Sequence, residues 1–246
     1  AMDRSKVTAI VTDLGGRTGH TSIVARALGL PSVVGCQRLS AEVEDGDELI
    51  VDGSEGMVIV RPDSRTLEEY RRRQERSNRS RAAMRELAGL EAETKDGVRV
   101  RLMGNIEFPE EVERVLANGG DGVGLYRTEF LYLTNDHEPS EEEQFRAYRR
   151  TLELLAGRPC TIRTLDLGAD KYTQQRAHEP ERNPFLGLRS IRYCLHHREL
   201  FKTQLRAILR ASAYGPVKVM FPLVSTLMEL RQAKMILNDV CEELDE

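Results

Sequence analysis

From residue 93 onward, short β-rich apolar runs alternate four times with helical stretches, and this rhythm restricts the fold more than any other feature of the chain. The apolar runs are VRVRLMGNI, GVGLY, CTIRTL and VKVMFP. The helical stretches are EEVERVLANG, EEEQFRAYRRTLELLAG, a long region from about Leu186 to Tyr214, and TLMELRQAKMILNDVCEEL. Strands that are each followed by a helix predict a parallel sheet with right-handed crossovers, so the expected fold class is α/β. Four such units are half of an eightfold βα barrel.

Residues 1–62 have a different texture: VTAIVTD, SIVARALGL, PSVVG and ELIVDGSEGMVIV read as strand, helix, strand and a hairpin turning at Gly53 to Gly56. The core of so small a unit would be thin, so more chain is expected to belong with it. Between the two regions, residues 63–92 contain no proline and read as one long connecting helix. Nine arginines lie between Arg61 and Arg85, interleaved with Glu68, Glu69 and Glu75, which is the pattern of a solvated helix rather than a nucleic-acid surface. The formal net charge of −4 points the same way, and no apolar run approaches a membrane span. No secretory signal opens the chain. Cys36, Cys160, Cys194 and Cys241 are far apart, which argues against a zinc site and suits reduced thiols in a cytoplasm.

The stretch GGRTGHTSIVARALGLPSVVG, Gly15 to Gly35, places His20 where a glycine turn hands over to a helix. The helix is expected to begin near Thr18 or Gly19 and end at Leu28, with Gly29 just beyond it. In the first turn, His20 would lie beside unpaired backbone N–H groups and the positive end of the helix dipole. A neutral imidazole with a free lone pair is favoured there, and a phosphoryl group added to it would meet an anion site, with Arg17 nearby. A lone histidine is more often a packed or surface residue, and this spacing is not specific by itself.

That stretch resembles the phosphohistidine signature of the phosphoenolpyruvate (PEP)-utilising enzymes, within them most closely the Enzyme I family of the bacterial sugar phosphotransferase system. The likeness continues through GVGLYRTEFLY, CTIRTLDLGADK, NPFLGLRSIR and ELFKTQLRAILRASAYGPVKVMFP, and so covers almost the whole chain. It implies a phosphohistidine swivelling domain at 1–62, present in part, a linker helix at 63–92, and the first half of a (β/α)8 TIM-type PEP-binding barrel at 93–246. His20 becomes the residue that carries the phosphoryl group. Gly19 stands where the family commonly has serine, which removes a hydroxyl from the helix start.

The resemblance also assigns Arg127, after GVGLY, and Arg163, at the end of CTIR, to the clamping of PEP. Two guanidinium groups at C-terminal strand ends suit a phosphate and a carboxylate. Arg189 and Lys171 match basic residues at the family's active-site rim. Asp166 and Asp170 are expected to orient these bases, and Glu129 to support them. The polar stretch from Lys171 to Pro184 reads as a mobile lid, stiffened by Ala169 where relatives often have glycine. Ser140 and Glu143 read as a capping box. His137, His178, His196 and His197 have no carboxylate or cysteine at ligand spacing and are taken as surface residues.

The implied reaction moves the phosphoryl group of PEP to His20 and on to the carrier protein HPr, releasing pyruvate, with Mg2+ as cofactor, in a cytoplasmic homodimer. No metal ligands are assigned within the chain. The family's carrier-binding region belongs before Ala1, and its Mg2+ ligands and proton-donating cysteine beyond Glu246. The 246 residues alone are therefore expected to bind PEP weakly without turning it over. The rival readings are a relative of the pyruvate phosphate dikinase or PEP synthase type, a nitrogen-regulatory paralogue, and a non-catalytic phosphosignalling module.

Overall fold

The computed structural model describes residues 6–16, 22, 25, 29–133, 137–167 and 187–245. The chain divides into two compact units, Ala1–Glu86 and Leu87–Glu246. No helix among the described residues is long and apolar enough to cross a membrane.

In the first unit, β1 (Ile10–Thr12) pairs in parallel with β2 (Ser32–Val34). The β3 strand (Leu49–Asp52) pairs antiparallel with β4 (Met57–Val60) around the expected turn. Gly29 adopts φ +70°, and Leu30 N–H donates to the Ala25 carbonyl at 2.9 Å. That is the 6→1 bond of a Schellman cap, so Gly29 closes a helix as its sequence position requires. The start of that helix lies outside the described residues. The Asp13 carboxylate, just past β1, accepts the Ser40 N–H at 3.1 Å and anchors the short helix α1 (Leu39–Glu42).

The long helix α2 (Ser64–Leu87) starts on Asp63, whose carboxylate accepts the Thr66 N–H at 2.7 Å. Its 24 residues span about 36 Å at ~1.5 Å per residue. Pairs Glu68–Arg72, Glu69–Arg73 and Glu75–Arg79 run along its solvated surface at i,i+4 spacing. The helix ends at Leu87 rather than at residue 92. Leu90 N–H turns back to the Leu87 carbonyl at 3.0 Å, and Thr94 and Val98 then close a tight turn.

In the second unit, four parallel strands stand side by side in chain order: β5 (Met103–Ile106), β6 (Gly122–Arg127), β7 (Cys160–Arg163) and β8 (Val217–Met220). The β5 strand is shorter than VRVRLMGNI predicts. Val98, Val100 and Leu102 have strand periodicity, but among the described residues no strand covers them and they remain exposed. Helix α3 (Val112–Ala117) precedes β6, α4 (Glu129–Leu133) and α5 (Glu141–Leu155) precede β7, and α8 (Leu227–Asp245) follows β8. Between β7 and β8, the expected continuous helical region breaks into α6 (Ile191–His196) and α7 (Arg198–Ala211). At the break, the Tyr193 carbonyl meets both the His197 N–H at 2.9 Å and the His197 ring Nδ1 at 3.1 Å. His197 itself, at φ −108° and ψ 69°, leaves the helical range, and this separates the two helices.

Tyr148, Leu152 and Leu155 of α5 share one buried cluster with Ala207, Ile208 and Ala211 of α7, beneath Tyr126 and Ile162 of the sheet. Leu165, Ile191, Phe201, Ile236 and Val240 lie in a second cluster. Each fully buried Leu or Ile contributes roughly 1.5–3 kcal/mol. The Cys160 and Cys194 thiols are buried here, and burial pushes both up to about 12.

The capping box at α5 forms as the sequence predicts: Glu143 N–H donates to Ser140 Oγ at 3.3 Å, and Ser140 N–H to Glu143 Oε2 at 2.8 Å. His137, exposed at the surface as its sequence context implies, also approaches this carboxylate, at 3.3 Å. Hydrogen bonds from Ser140 hold the Glu143 carboxyl down at about 2, from an ordinary value of 4.5. A depressed carboxyl stabilises the fold above its unfolded value and loses that contribution as pH falls through its folded value. Ser140→Ala is expected to cost about 1 kcal/mol at pH 7 in urea unfolding. The gap between native and variant should narrow as pH falls from 4.5 to about 2, leaving the pH-independent bond from the Glu143 N–H to Ser140 Oγ. A gap independent of pH would sink this account.

Candidate functional site

Parallel strands that all run the same way present their last residues on one edge, so side chains there are neighbours although far apart in sequence. Arg127 ends β6 and Arg163 ends β7, and the two stand directly opposite one another in the register. Adjacent strands lie about 4.8 Å apart. Two guanidinium groups thus start from neighbouring backbone positions. Arg127 Nη1 is 3.0 Å from Oε1 of Glu107, the first residue after β5.

Arg163 is held more tightly. Its Nη2 is 2.7 Å from Glu129 Oε1, and its Nη1 is 2.9 Å from Asp166 Oδ2. Asp166 Oδ1 lies 3.5 Å from Arg189 Nη2 and also accepts the Ser190 hydroxyl. Glu129 Oε1 in turn accepts the Asp166 N–H at 3.1 Å, so the carboxylates and arginines form one connected network. Burial raises the Glu129 carboxyl above its ordinary value, against the pull of Arg163. Ser190, with φ +53° and ψ −128°, is a buried non-glycine residue in a strained conformation.

Arg163 keeps a donor in reserve. Arg163 Nε is buried and meets no acceptor among the described residues. Leaving a charged donor buried without a partner costs more than leaving a neutral one, and a bound anion removes that cost. The half-exposed Arg127 beside it has further donors to present, so the edge is suited to an anion with more than one oxygen-bearing group.

Residues 81–246 match the family described as PEP-utilising enzyme, PEP-binding domain, and residues 1–56 that described as PEP-utilising enzyme, mobile domain. The chain belongs to the PEP-utilising enzymes. It is similar to proteins named phosphoenolpyruvate-protein phosphotransferase. The one from Geobacillus stearothermophilus is 47% identical over 243 residues, 99% of this chain and 42% of that protein. The one from Bacillus subtilis (strain 168) is 45% identical over 243 residues, 99% of this chain and 43% of that protein. The one from Staphylococcus carnosus (strain TM300) is 43% identical over 238 residues, 97% of this chain and 42% of that protein. The chain thus spans well under half the length of the curated relatives it matches.

The structure brings Arg127, Arg163 and Arg189 to the region of the β6 and β7 strand ends, with Asp166 and Glu129 paired to Arg163 and Asp166 beside Arg189. His20, Lys171, Asp170, His178 and the expected lid lie outside the described residues. Glu107, Ser190 and the buried Gln204 are participants that sequence reasoning missed. Glu107 was findable: it is a charged residue directly after an apolar strand, the position that singled out the arginines.

Proposed function

We propose that this chain carries the phosphohistidine and part of the PEP site of a phosphoenolpyruvate-protein phosphotransferase. Residues 1–62 form part of the swivelling domain, 63–92 the linker, and 93–246 the first half of a TIM-type barrel. PEP binds at the strand ends, held by Arg127 and Arg163, with Arg189 and Lys171 at the rim. A nitrogen of His20 attacks phosphorus, a new N–P bond forms, and the P–O bond to the enolate breaks. The released enolpyruvate takes up a proton to become pyruvate, and the phosphoryl group passes to HPr. The setting is cytoplasmic, and the full-length protein acts as a homodimer.

The single observation that carries this reading is the buried, unpartnered Arg163 Nε beside Arg127 at one sheet edge. Phosphoryl transfer rests on positioning and on neutralising oxygen charge, which fixed guanidinium groups provide. Mg2+ is the cofactor that the family implies. Among the described residues no three His, Cys, Asp or Glu side chains converge on a cation position, and Glu107, Glu129 and Asp166 are taken up by arginines. The described residues do not fit the ion, and no step is routed through it.

The test grafts residues 1–246 in place of the matching segment of the Geobacillus stearothermophilus relative, then supplies radiolabelled PEP. Acid-labile label should appear on the protein, map to His20 by mass spectrometry, and chase onto HPr. Label on any other residue, or none, would remove the assignment.

A further inference from the structure

Gln204 is fully buried on α7, a position where its helix otherwise presents apolar side chains to the core. A buried primary amide is tolerated when its groups are bonded, and here they are. Its Oε1 accepts the Leu165 N–H at 2.9 Å. Its Nε2 donates to Thr128 Oγ1 at 3.1 Å and to Tyr148 Oη at 3.2 Å.

The orientation of every group in this network is forced. Thr128 spends its one hydroxyl hydrogen on the Arg163 carbonyl at 2.9 Å, so it must accept from Gln204. Tyr148 spends its hydrogen on Gln144 Oε1 at 3.1 Å, so it must accept too. The Leu165 N–H can only donate, so it must meet the amide oxygen. One amide therefore ties Thr128, the residue after Arg127, to the backbone that follows the Arg163 side chain: its own carbonyl, through Thr128, and Leu165 two residues on. Leu165 also leads directly into Asp166, which holds Arg163 Nη1.

We propose that Gln204 is the positioning residue that sets the spacing of Arg127 and Arg163, acting through Thr128 and Leu165. For PEP this rests on the substrate reading above, but the positioning itself does not. A side chain that never touches the ligand then governs its affinity, because clamping groups must be held close to their productive geometry.

The test compares Gln204→Met, Thr128→Val and Tyr148→Phe in the grafted protein, by amide hydrogen exchange and by calorimetric titration with PEP. Gln204→Met should speed exchange of the Leu165 amide at least about tenfold relative to Ile162, and weaken PEP binding by about ten- to a hundredfold. Thr128→Val should weaken PEP binding while Leu165 stays protected. Tyr148→Phe removes the third Gln204 contact and the bond to Gln144, neither of which reaches Arg127 or Arg163, so it should lower the Tm and leave both readouts unchanged. Unchanged Leu165 protection in Gln204→Met, unchanged binding in Thr128→Val, or full mimicry by Tyr148→Phe would each overturn the proposal. If the grafted protein with its native residues binds no PEP, the substrate reading fails, and the exchange comparison still decides the positioning role. If Gln204→Met does not fold, Thr128→Val against Tyr148→Phe decides it.

Discussion

Arg163→Ala is expected to lower kcat/KM for transfer from PEP about a thousandfold in the grafted protein, close to 4 kcal/mol of transition-state stabilisation. Arg163 is the most enclosed of the two strand-end arginines, engaged by Glu129 and Asp166 and still holding a buried free donor. Arg163→Lys should recover little of the loss, since an ammonium keeps the charge without the fork that meets two oxygens at once. Alanine also strands the buried Glu129, so part of the effect would be lost stability. Combining Arg163→Ala with Glu129→Gln separates the two. The pair should regain thermal stability without regaining transfer. Recovery of transfer in the double variant would show that Arg163 serves the fold and not the substrate.

The second large effect is structural. Gly119 ends α3 in a Schellman cap, with Gly120 N–H donating to the Val115 carbonyl and Gly119 N–H to Leu116, both at 3.0 Å. Its φ is +79°, and a Cβ there would come within 2.4 Å of the Ala88 carbonyl oxygen. Gly119→Ala therefore combines a left-handed backbone penalty with a clash that only main-chain movement can relieve. The expected cost is roughly 2–5 kcal/mol, a Tm fall of about 5–15 °C. Gly157→Ala is the control: its φ is +85°, with nothing within 4 Å of the added carbon, so only about 1–2 kcal/mol should be lost. Equal effects at the two sites would refute the clash.

What the sequence disclosed was governed by contact distance along the chain. Gly29 as a helix stop, Ser140 with Glu143 as a start, and four strands alternating with helices all depend on neighbours within a few residues, and these features formed as expected. Arg127 and Arg163 were legible because a parallel sheet puts strand ends on one edge. The links between Arg127 and Glu107, Ser190 and Asp166, and Gln204 and Thr128 cross 20, 24 and 76 residues, and no local spacing encodes them. Gln204 in particular reads as an ordinary polar helix residue. The misplaced boundaries are local too: non-helical backbone angles at His197 divide one helix, and a turn follows Leu87 at the end of another.

The strand order of the second unit has a bearing on how the chain is made. Because β5, β6, β7 and β8 are neighbours in the order in which they are synthesised, each strand leaving the ribosome finds its partner already in place. No strand has to wait for a later one to be inserted between it and its predecessor. The sheet can therefore grow at one border during translation, and the spacing of the arginine pair is completed only when α7 brings Gln204 to it.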